Sequence, residues 1–233
     1  MSLRKVLILG ASSDIGVELT KIFIEKGYNT HLHCTTSNDF LKKLSNKHTK
    51  IKKLNFLNHD EKLILKNFDN DYDIIINLVG FMKNISFDRA NIKNLNNTIK
   101  VNSLIPLMII RKSMKKMVKK KWGRIINSSS IGVKFGGGKN TFAYSLSKHI
   151  NEYIPADIKK NYKNNIFYNV IRIGLTDTKI HRKIKYKNLK KRIKKVPVNK
   201  MANPIDISNY IYFMCSDKNR FITDEILNIA GGE

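Results

Sequence analysis

Tyr144 and Lys148 lie four positions apart, so a helix would place them one turn apart on the same face. A phenol has a pKa near ~10 in water, and a tyrosine that exchanges a proton with a substrate oxygen near pH 7 needs a neighbour that favours the phenolate. The positive charge of Lys148 would lower the pKa of the tyrosine in this way. The pair therefore predicts proton transfer at Tyr144, provided that the chain builds a site around it.

The chain on both sides of this pair alternates between short apolar runs and longer helical patterns. Periodicity predicts strands at 6–9, 30–34, 51–55, 74–77, 124–127, 167–173 and 226–229. It predicts helices at 16–26, 40–47, 60–68, 94–121, 144–159 and 205–215. Such alternation is typical of a parallel sheet with helices on both faces. The predicted fold class is α/β, a Rossmann-type doubly wound sheet in a single domain over residues 1–233.

The composition is that of a globular protein, with 233 residues of which 42% are hydrophobic. No apolar run reaches the ~18 residues that cross a bilayer, and the chain enters a strand at Val6 in place of a secretory signal. We therefore expect a cytoplasmic protein with no membrane partner. Cys34 and Cys215 have no metal-ligand spacing, so we expect buried thiols and no metal site.

The formal net charge of +26 is the most unusual feature of the composition. In a small domain such a charge indicates nucleic acid, an anionic membrane or an acidic protein as partner. The opposing interpretation is a compositional bias, since lysine, asparagine and isoleucine are all abundant and A/T-rich codons encode them. We favour the second interpretation for most of the charge.

A glycine-containing turn follows the first predicted strand and leads directly into a helix. Its residues are Gly10, Ser12, Ser13, Asp14, Ile15 and Gly16. Small residues let the backbone approach a diphosphate, and the free N–H groups of the helix start attract its negative charge. Asp14 stands where a glycine is expected, and we expect its carboxylate to point away from the phosphates and to cap the helix.

The end of the second strand normally discriminates between the two nicotinamide cofactors, because a carboxylate there binds the ribose diol and repels a 2′-phosphate. This chain has Thr35 and Thr36, followed by Ser37 and Asn38, at that point. Hydroxyl groups and an amide can donate hydrogen bonds to a phosphate. The sequence therefore favours NADP(H) over NAD(H).

Together these motifs resemble the classical short-chain dehydrogenase/reductase family over essentially the whole chain. The turn is similar to the family's cofactor fingerprint, and Asn102 matches the asparagine of its long helix. Tyr144 and Lys148 match its active-site pair. The resemblance implies further cofactor-binding positions at Asn55, Phe56, Asn77, Leu78, Val79, Gly80, Ile173, Thr176 and Thr178.

The family's catalytic serine has two candidates. The segment from Gly123 resembles the strand that ends in this serine, and counting forward from Gly123 gives Ser130. Counting back three positions from Gly132 gives Ser129. We favour Ser130, because its spacing to Tyr144 is closer to the family's usual spacing.

The resemblance implies an NAD(P)(H)-dependent oxidoreductase that interconverts a ketone and a secondary alcohol. Tyr144 would donate the proton, Ser130 would bind the carbonyl oxygen, and Lys148 would lower the pKa of the tyrosine. Asn102 would anchor a water that links Lys148 to solvent. The family also implies a homo-oligomer, a dimer or a homotetramer.

The basic segment 179–200 corresponds to the family's substrate lid. It would bind an acidic acyl carrier protein, as in 3-oxoacyl-carrier-protein reductases, or the phosphate or carboxylate of a sugar or nucleotide-sugar precursor of a surface polysaccharide. A third interpretation is solvated charge without a partner. A non-catalytic nucleic-acid-binding protein on the same fold is the remaining alternative, which the lack of a nucleic-acid motif disfavours.

Overall fold

The computed structural model describes residues 3–36, 39–179 and 186–233. Across these ranges seven strands form one parallel sheet. They are β1 (Lys5–Leu9), β2 (Asn29–Cys34), β3 (Thr49–Lys53), β4 (Ile74–Asn77), β5 (Gly123–Ser130), β6 (Ile166–Ile173) and β7 (Ile226–Ile229). Their order is β3-β2-β1-β4-β5-β6-β7, so the direction of winding reverses between β1 and β4. The predicted doubly wound Rossmann-type sheet is confirmed.

Helices cover both faces of the sheet. The described α-helices are α1 (Asp14–Glu25), α2 (Asp39–Leu44), α3 (Glu61–Lys66), α4 (Ile92–Ile99), α5 (Ile105–Lys120), α6 (Phe142–Ile150), α7 (Ala156–Lys159), α8 (Tyr186–Ile193) and α9 (Pro204–Cys215). A π-helical turn, Lys100–Leu104, joins α4 to α5. No helix of the described residues is both long enough and apolar enough to span a bilayer.

Two hydrophobic cores lie on opposite faces of the sheet, because successive side chains of a strand point to opposite sides. Leu7 and Leu9 of β1 belong to the core that also contains Ile109 of α5. Val6 and Ile8 belong to the other core, with Leu19 of α1. The strands read as continuous apolar runs because both faces are buried.

The predicted helix at 94–121 is interrupted at the π-helical turn. Pro106 lies at the start of α5 and has no N–H to donate to the main-chain oxygen of Asn102, four residues earlier. The N–H of Ile105 instead bonds to Lys100 O, five residues back. A proline therefore releases the carbonyl of Asn102 from the helical ladder.

The predicted helix at 144–159 is also two helices in the structure. α6 ends at Ile150 and α7 begins after Pro155, whose backbone is extended. Proline cannot continue the helical hydrogen-bond pattern, and the residue before it avoids the helical region.

The basic segment 179–200 is described only in part, since residues 180–185 lie outside the described ranges. α8 lies within it. Its far end packs against the last glycines: a Cβ at Gly231 would lie 2.6 Å from Val198, and one at Gly232 would lie 2.9 Å from Pro197. The segment is thus anchored beside the end of β7.

Candidate active site

Tyr144 and Lys148 lie on α6 at the edge where the parallel strands end. The Lys148 side chain is buried, with 2% of the residue exposed, and its Nζ lies 5.7 Å from the centroid of the Tyr144 ring. Tyr144 is half-buried. The predicted proximity of the two side chains is therefore present in the structure.

Three oxygen atoms surround the ammonium group of Lys148. Nζ donates to Val79 O at 2.8 Å, to Ser128 O at 3.0 Å and to Ser128 Oγ at 2.9 Å. These bonds tie α6 to the loop after β4 and to the end of β5. Burial lowers the pKa of Lys148 to about 7.

The pKa of Tyr144 differs from the expectation. We expected Lys148 to lower it, but burial raises the pKa of Tyr144 to about 12. The reason is geometric, since the Lys148 ammonium binds Val79 and Ser128 and lies over the ring rather than at the hydroxyl. Tyr144 is therefore protonated at neutral pH and could donate a proton. Its hydroxyl lies beside Gly80, where an added Cβ would be 3.9 Å away.

The two candidate serines point in different directions. Ser129 is 2% exposed, and its Oγ donates to Glu152 Oε1 at 2.7 Å. Ser130 is half-buried at the end of β5, and its Oγ accepts from Gly132 N at 3.2 Å. A hydroxyl that accepts one hydrogen bond keeps its own proton to donate. The geometry favours Ser130 as the serine that could bind a substrate oxygen.

Asn102 lies in the π-helical turn and holds the loop after β4. Its Oδ1 accepts from Phe81 N at 2.7 Å, and its Nδ2 donates to Phe81 O at 2.8 Å and to Ser147 Oγ at 2.9 Å. Its main-chain oxygen accepts from Asn77 Nδ2 and Asn151 Nδ2, both at 3.2 Å.

Protein groups occupy the main-chain oxygen of Asn102 fully. A carbonyl oxygen has two lone pairs, and here two amide groups occupy them. In the side chain, Oδ1 accepts from Phe81 N, and Nδ2 donates to Phe81 O and Ser147 Oγ, so Asn102 positions the loop. The relay water that the family resemblance implies stays a prediction.

The turn after β1 has the shape that a diphosphate requires. Gly10 has φ +79°, and an added Cβ there would lie 3.0 Å from Leu78 O. A Cβ at Gly16 would lie 2.7 Å from Gly10 O. Only glycine fits either position, and the first N–H groups of α1 have no acceptor within the helix. The turn therefore fits the diphosphate of a dinucleotide.

Ser13, rather than Asp14, caps α1. Ser13 Oγ accepts from Gly16 N at 3.1 Å and donates to Gly10 O at 2.9 Å. Asp14 Oδ2 instead accepts from the main-chain N of Lys179 at 2.7 Å. The expectation of a cap was wrong, and the carboxylate joins the turn to the first residue of the basic segment. Ser12 is half-buried, whereas Ile15 packs in the core.

The residues after β2 and β3 form the neighbouring part of this edge. Thr35 and Thr36 are exposed, while Ser37 and Asn38 lie outside the described residues. Asn55 Oδ1 accepts from Leu57 N at 2.9 Å within its own turn. Phe56 is 2% exposed, and its ring is buried.

His33 stacks on Phe56, with ring centroids 4.3 Å apart, and lies directly beneath the turn. Its Nε2 lies 2.8 Å from Leu54 O and its Nδ1 lies 3.4 Å from Gly10 N. An N–H must face the carbonyl, so Nε2 carries the proton and Nδ1 accepts. Burial lowers the pKa of His33 to about 4.

The positions predicted at the end of β6 and after it lie at the same end of the sheet. Ile173 is half-buried and pairs in register with Ser130. Thr176 is buried and its Oγ1 donates to Gly174 O at 3.0 Å. Thr178 is half-buried and precedes Lys179. At the end of β4, Asn77 Oδ1 accepts from Val79 N at 3.1 Å and stabilises the turn that follows the strand. Leu78, in this turn, is half-buried.

Three residues that contact the site, Ser128, Asn151 and Glu152, are not predicted from the sequence. Ser128 binds Lys148, and Asn151 Nδ2 donates to Ser128 O at 3.1 Å as well as to Asn102 O. Glu152 lies four positions after Lys148, and this spacing was the available signal. These residues connect α6 to the end of β5.

The chain resembles known oxidoreductases in sequence and in structure. A family model described as enoyl-(acyl carrier protein) reductase matches residues 10–233. The 3-oxoacyl-(acyl-carrier-protein) reductase of Aquifex aeolicus is 27% identical over 179 residues, which cover 74% of this chain and 72% of that protein.

Solved structures share the fold. A 3-oxoacyl (acyl-carrier-protein) reductase from Agrobacterium tumefaciens with NADP bound has a TM-score of 0.85 at 18% identity and covers 99% of this chain and 94% of that one. A 4-hydroxyisoleucine dehydrogenase complexed with NADH and succinate has a TM-score of 0.84 at 25% identity, covering 98% of both chains.

Proposed function

The chain belongs to the short-chain dehydrogenase/reductase family of oxidoreductases, and on that premise we propose that it reduces a 3-oxoacyl thioester to the 3-hydroxyacyl thioester with NADPH. The observation that carries the proposal is the contact between half-buried Tyr144 and buried Lys148, at the end of the sheet that also bears the Gly10 turn. The name of the curated relative supports the choice of ketone. An oxidoreductase family disfavours the non-catalytic nucleic-acid alternative.

Tyr144 is the proposed proton donor. Its pKa of about 12 keeps the phenol protonated, so Oη can give its proton to the carbonyl oxygen as that oxygen gains charge. Ser130 Oγ would donate a hydrogen bond to the same oxygen. When bound at the Gly10 turn, NADPH supplies the hydride for the carbonyl carbon.

Lys148 is the proposed source of the replacement proton. With a pKa of about 7, its ammonium is a stronger acid than the Tyr144 phenol with a pKa of about 12. Transfer of a proton from Lys148 to the phenolate that remains after substrate protonation is therefore favourable, and it needs an intervening hydroxyl group or water because Nζ lies over the Tyr144 ring. The lysine acts here as a proton reservoir rather than as a group that lowers the resting pKa of the tyrosine.

NADPH is the proposed cofactor in preference to NADH. Thr35 and Thr36 are exposed after β2 and bring hydroxyl donors without a carboxylate. The formal net charge of +26 further favours the additional phosphate.

An acidic carrier protein is the proposed bearer of the acyl group. The basic segment 179–200 would be the lid that receives it, and α8 carries Lys190, Lys191 and Arg192 in its last turn. A phosphate-bearing keto-sugar would meet the same charges, so it belongs in the substrate panel.

We further propose a homo-oligomer, a dimer or a tetramer, that forms through α5 and α7. A cavity of about 470 Å³ between these helices is lined by the apolar residues Leu107, Met108, Met114, Val118 and Ile158 and also by the charged residues Arg111, Lys115 and Asp157. Such a largely apolar surface is what a second copy would cover.

The test is a substrate panel followed by loss of NADPH absorbance. Acetoacetyl thioester, crotonyl thioester and a keto-sugar nucleotide separate ketone reduction, double-bond reduction and sugar reduction. We expect turnover of the acetoacetyl thioester, with a lower KM when the carrier protein replaces coenzyme A. Turnover of only the crotonyl thioester or only the sugar would overturn the proposal.

A further inference from the structure

Glu152 is a buried carboxylate with partners on two neighbouring strands. Its side chain is 5% exposed. Arg172 of β6 donates to it twice, from Nε to Oε1 and from Nη2 to Oε2, both at 2.7 Å. Ser129 of β5 donates to Oε1 at 2.7 Å. His149 Nδ1 lies 3.4 Å from Oε2.

The carboxylate is ionised at neutral pH. Burial by itself would raise the pKa of Glu152, but the hydrogen bonds from Arg172 and Ser129 outweigh burial and lower it. Arg172 is 22% exposed in its side chain, and its bidentate geometry is the strong form of a guanidinium–carboxylate contact.

Each partner in this cluster adjoins a residue of the candidate site. Ser129 precedes Ser130, Arg172 precedes Ile173, and Glu152 follows Lys148 by four positions. Ser129 also pairs with Arg172 in the sheet register, as Ser130 does with Ile173. The Glu152 carboxylate therefore links three parts of the backbone. They are the segment of Tyr144 and Lys148, the end of β5 with Ser130, and the end of β6 with Ile173.

We propose that Glu152 is a positioning residue. It fixes the end of β5 against α6 so that Ser130 and Tyr144 can both contact the same substrate oxygen. This inference rests on the reductase function proposed above. Glu152 is not among the residues that we propose to contact substrate or cofactor. It acts through Ser129 and Arg172, and small displacements of reacting groups reduce turnover steeply.

Glu152→Gln is the decisive variant, because it keeps the shape of the side chain and removes its charge. The matched control is Asp73→Asn. Asp73 is a buried carboxylate that pairs with Lys120 at 2.5 Å and accepts from Lys5 N at 2.8 Å. Asp73 directly precedes β4, so it lies at the amino ends of the parallel strands. Tyr144 lies at their carboxyl ends.

We would measure kcat with the acetoacetyl thioester, the Kd for NADPH by nicotinamide fluorescence, and Tm. For Glu152→Gln we expect kcat to fall by about tenfold or more with Kd changed less than about twofold, at a temperature well below Tm. Asp73→Asn should lower Tm without this loss of kcat. Ser129→Ala should lose several-fold in kcat, whereas Ser113→Ala, at a buried hydroxyl without a hydrogen-bond partner among the described residues, should not.

Three results would overturn the inference. They are wild-type kcat in Glu152→Gln, an equal loss of kcat in Asp73→Asn at matched stability, and a loss confined to NADPH affinity. Failure of the wild-type protein to reduce any 3-oxoacyl thioester would instead reject the proposed function. In that case the positioning role of Glu152 is tested with the same variants, by NADPH-dependent reduction of whichever ketone of the panel is turned over.

Discussion

Asn102 and Phe81 hydrogen-bond to each other twice, through Phe81 N to Asn102 Oδ1 at 2.7 Å and Asn102 Nδ2 to Phe81 O at 2.8 Å. The Asn102 side chain thereby pairs with both backbone polar groups of Phe81. Phe81 lies in the same loop as Val79, whose carbonyl oxygen accepts from Lys148. The π-helical turn positions Asn102, because Pro106 has no N–H to complete the helical hydrogen-bond pattern at this point.

Asn102→Asp should be strongly deleterious. The substitution replaces the donor to Phe81 O by a carboxylate oxygen in a buried site, so an attractive contact becomes repulsive. We expect a loss of about 2–4 kcal/mol in the free energy of unfolding, measured by urea denaturation, and a fall in kcat. Unchanged stability would mean that Phe81 is held by other contacts.

The pH dependence of ketone reduction should report Lys148. Its pKa of about 7 means that the ammonium loses its proton as pH rises through about 7, so kcat should fall above that pH. Tyr144, with a pKa of about 12, stays protonated throughout. Lys148→Met should have a low kcat without this limb. A wild-type profile that is flat between pH 6 and pH 9 would contradict the proton-reservoir role.

Asp14→Asn should strengthen NADPH binding. The carboxylate lies in the turn that would receive a diphosphate, and removing its charge removes a repulsion while the amide oxygen can still accept from Lys179 N. We expect Kd to fall by about fivefold at low salt, measured by nicotinamide fluorescence. The difference should shrink at high salt. Weaker binding by the variant would show that Asp14 assists the turn.

Stability should depend on pH through His33. Burial lowers its pKa from 6.5 to about 4, so between these values the unfolded chain binds a proton that the folded chain does not. Stability is therefore lost as pH falls from 6.5 towards 4, by up to about 3 kcal/mol. His33→Gln cannot titrate and should show a smaller loss in urea unfolding at pH 7 and pH 4.5. Parallel curves for the two proteins would rule out this contribution.

Met108→Glu should disrupt the proposed oligomer. Met108 lines the groove between α5 and α7 together with Arg111 and Lys115, and a carboxylate in place of its apolar side chain would have to lose its hydration when a second copy covers the groove. Sedimentation should show a smaller species for Met108→Glu. Met82→Glu, at an exposed methionine outside this groove, is the control. A wild-type protein that sediments as a monomer would contradict the assembly.

The sequence was sufficient for the sheet and for the proximity of Tyr144 and Lys148, because both follow from periodicity within single elements. It was insufficient for contacts between elements. The pKa of Tyr144 depends on burial by distant segments, and the role of Asn102 depends on Phe81 and Asn77, which approach it only in the fold. Glu152 was missed for the same reason, since Arg172 and Ser129 lie on neighbouring strands.

The most direct test of the account is the turnover of Tyr144→Phe with an acetoacetyl thioester and NADPH. The variant removes one hydroxyl that lies beside Gly80 and leaves the Gly10 turn intact. We predict a Kd for NADPH within about twofold of wild type and a kcat reduced by a factor of about 10² to 10⁴. A variant that binds NADPH and retains the wild-type kcat would contradict the assignment of Tyr144 as the proton donor.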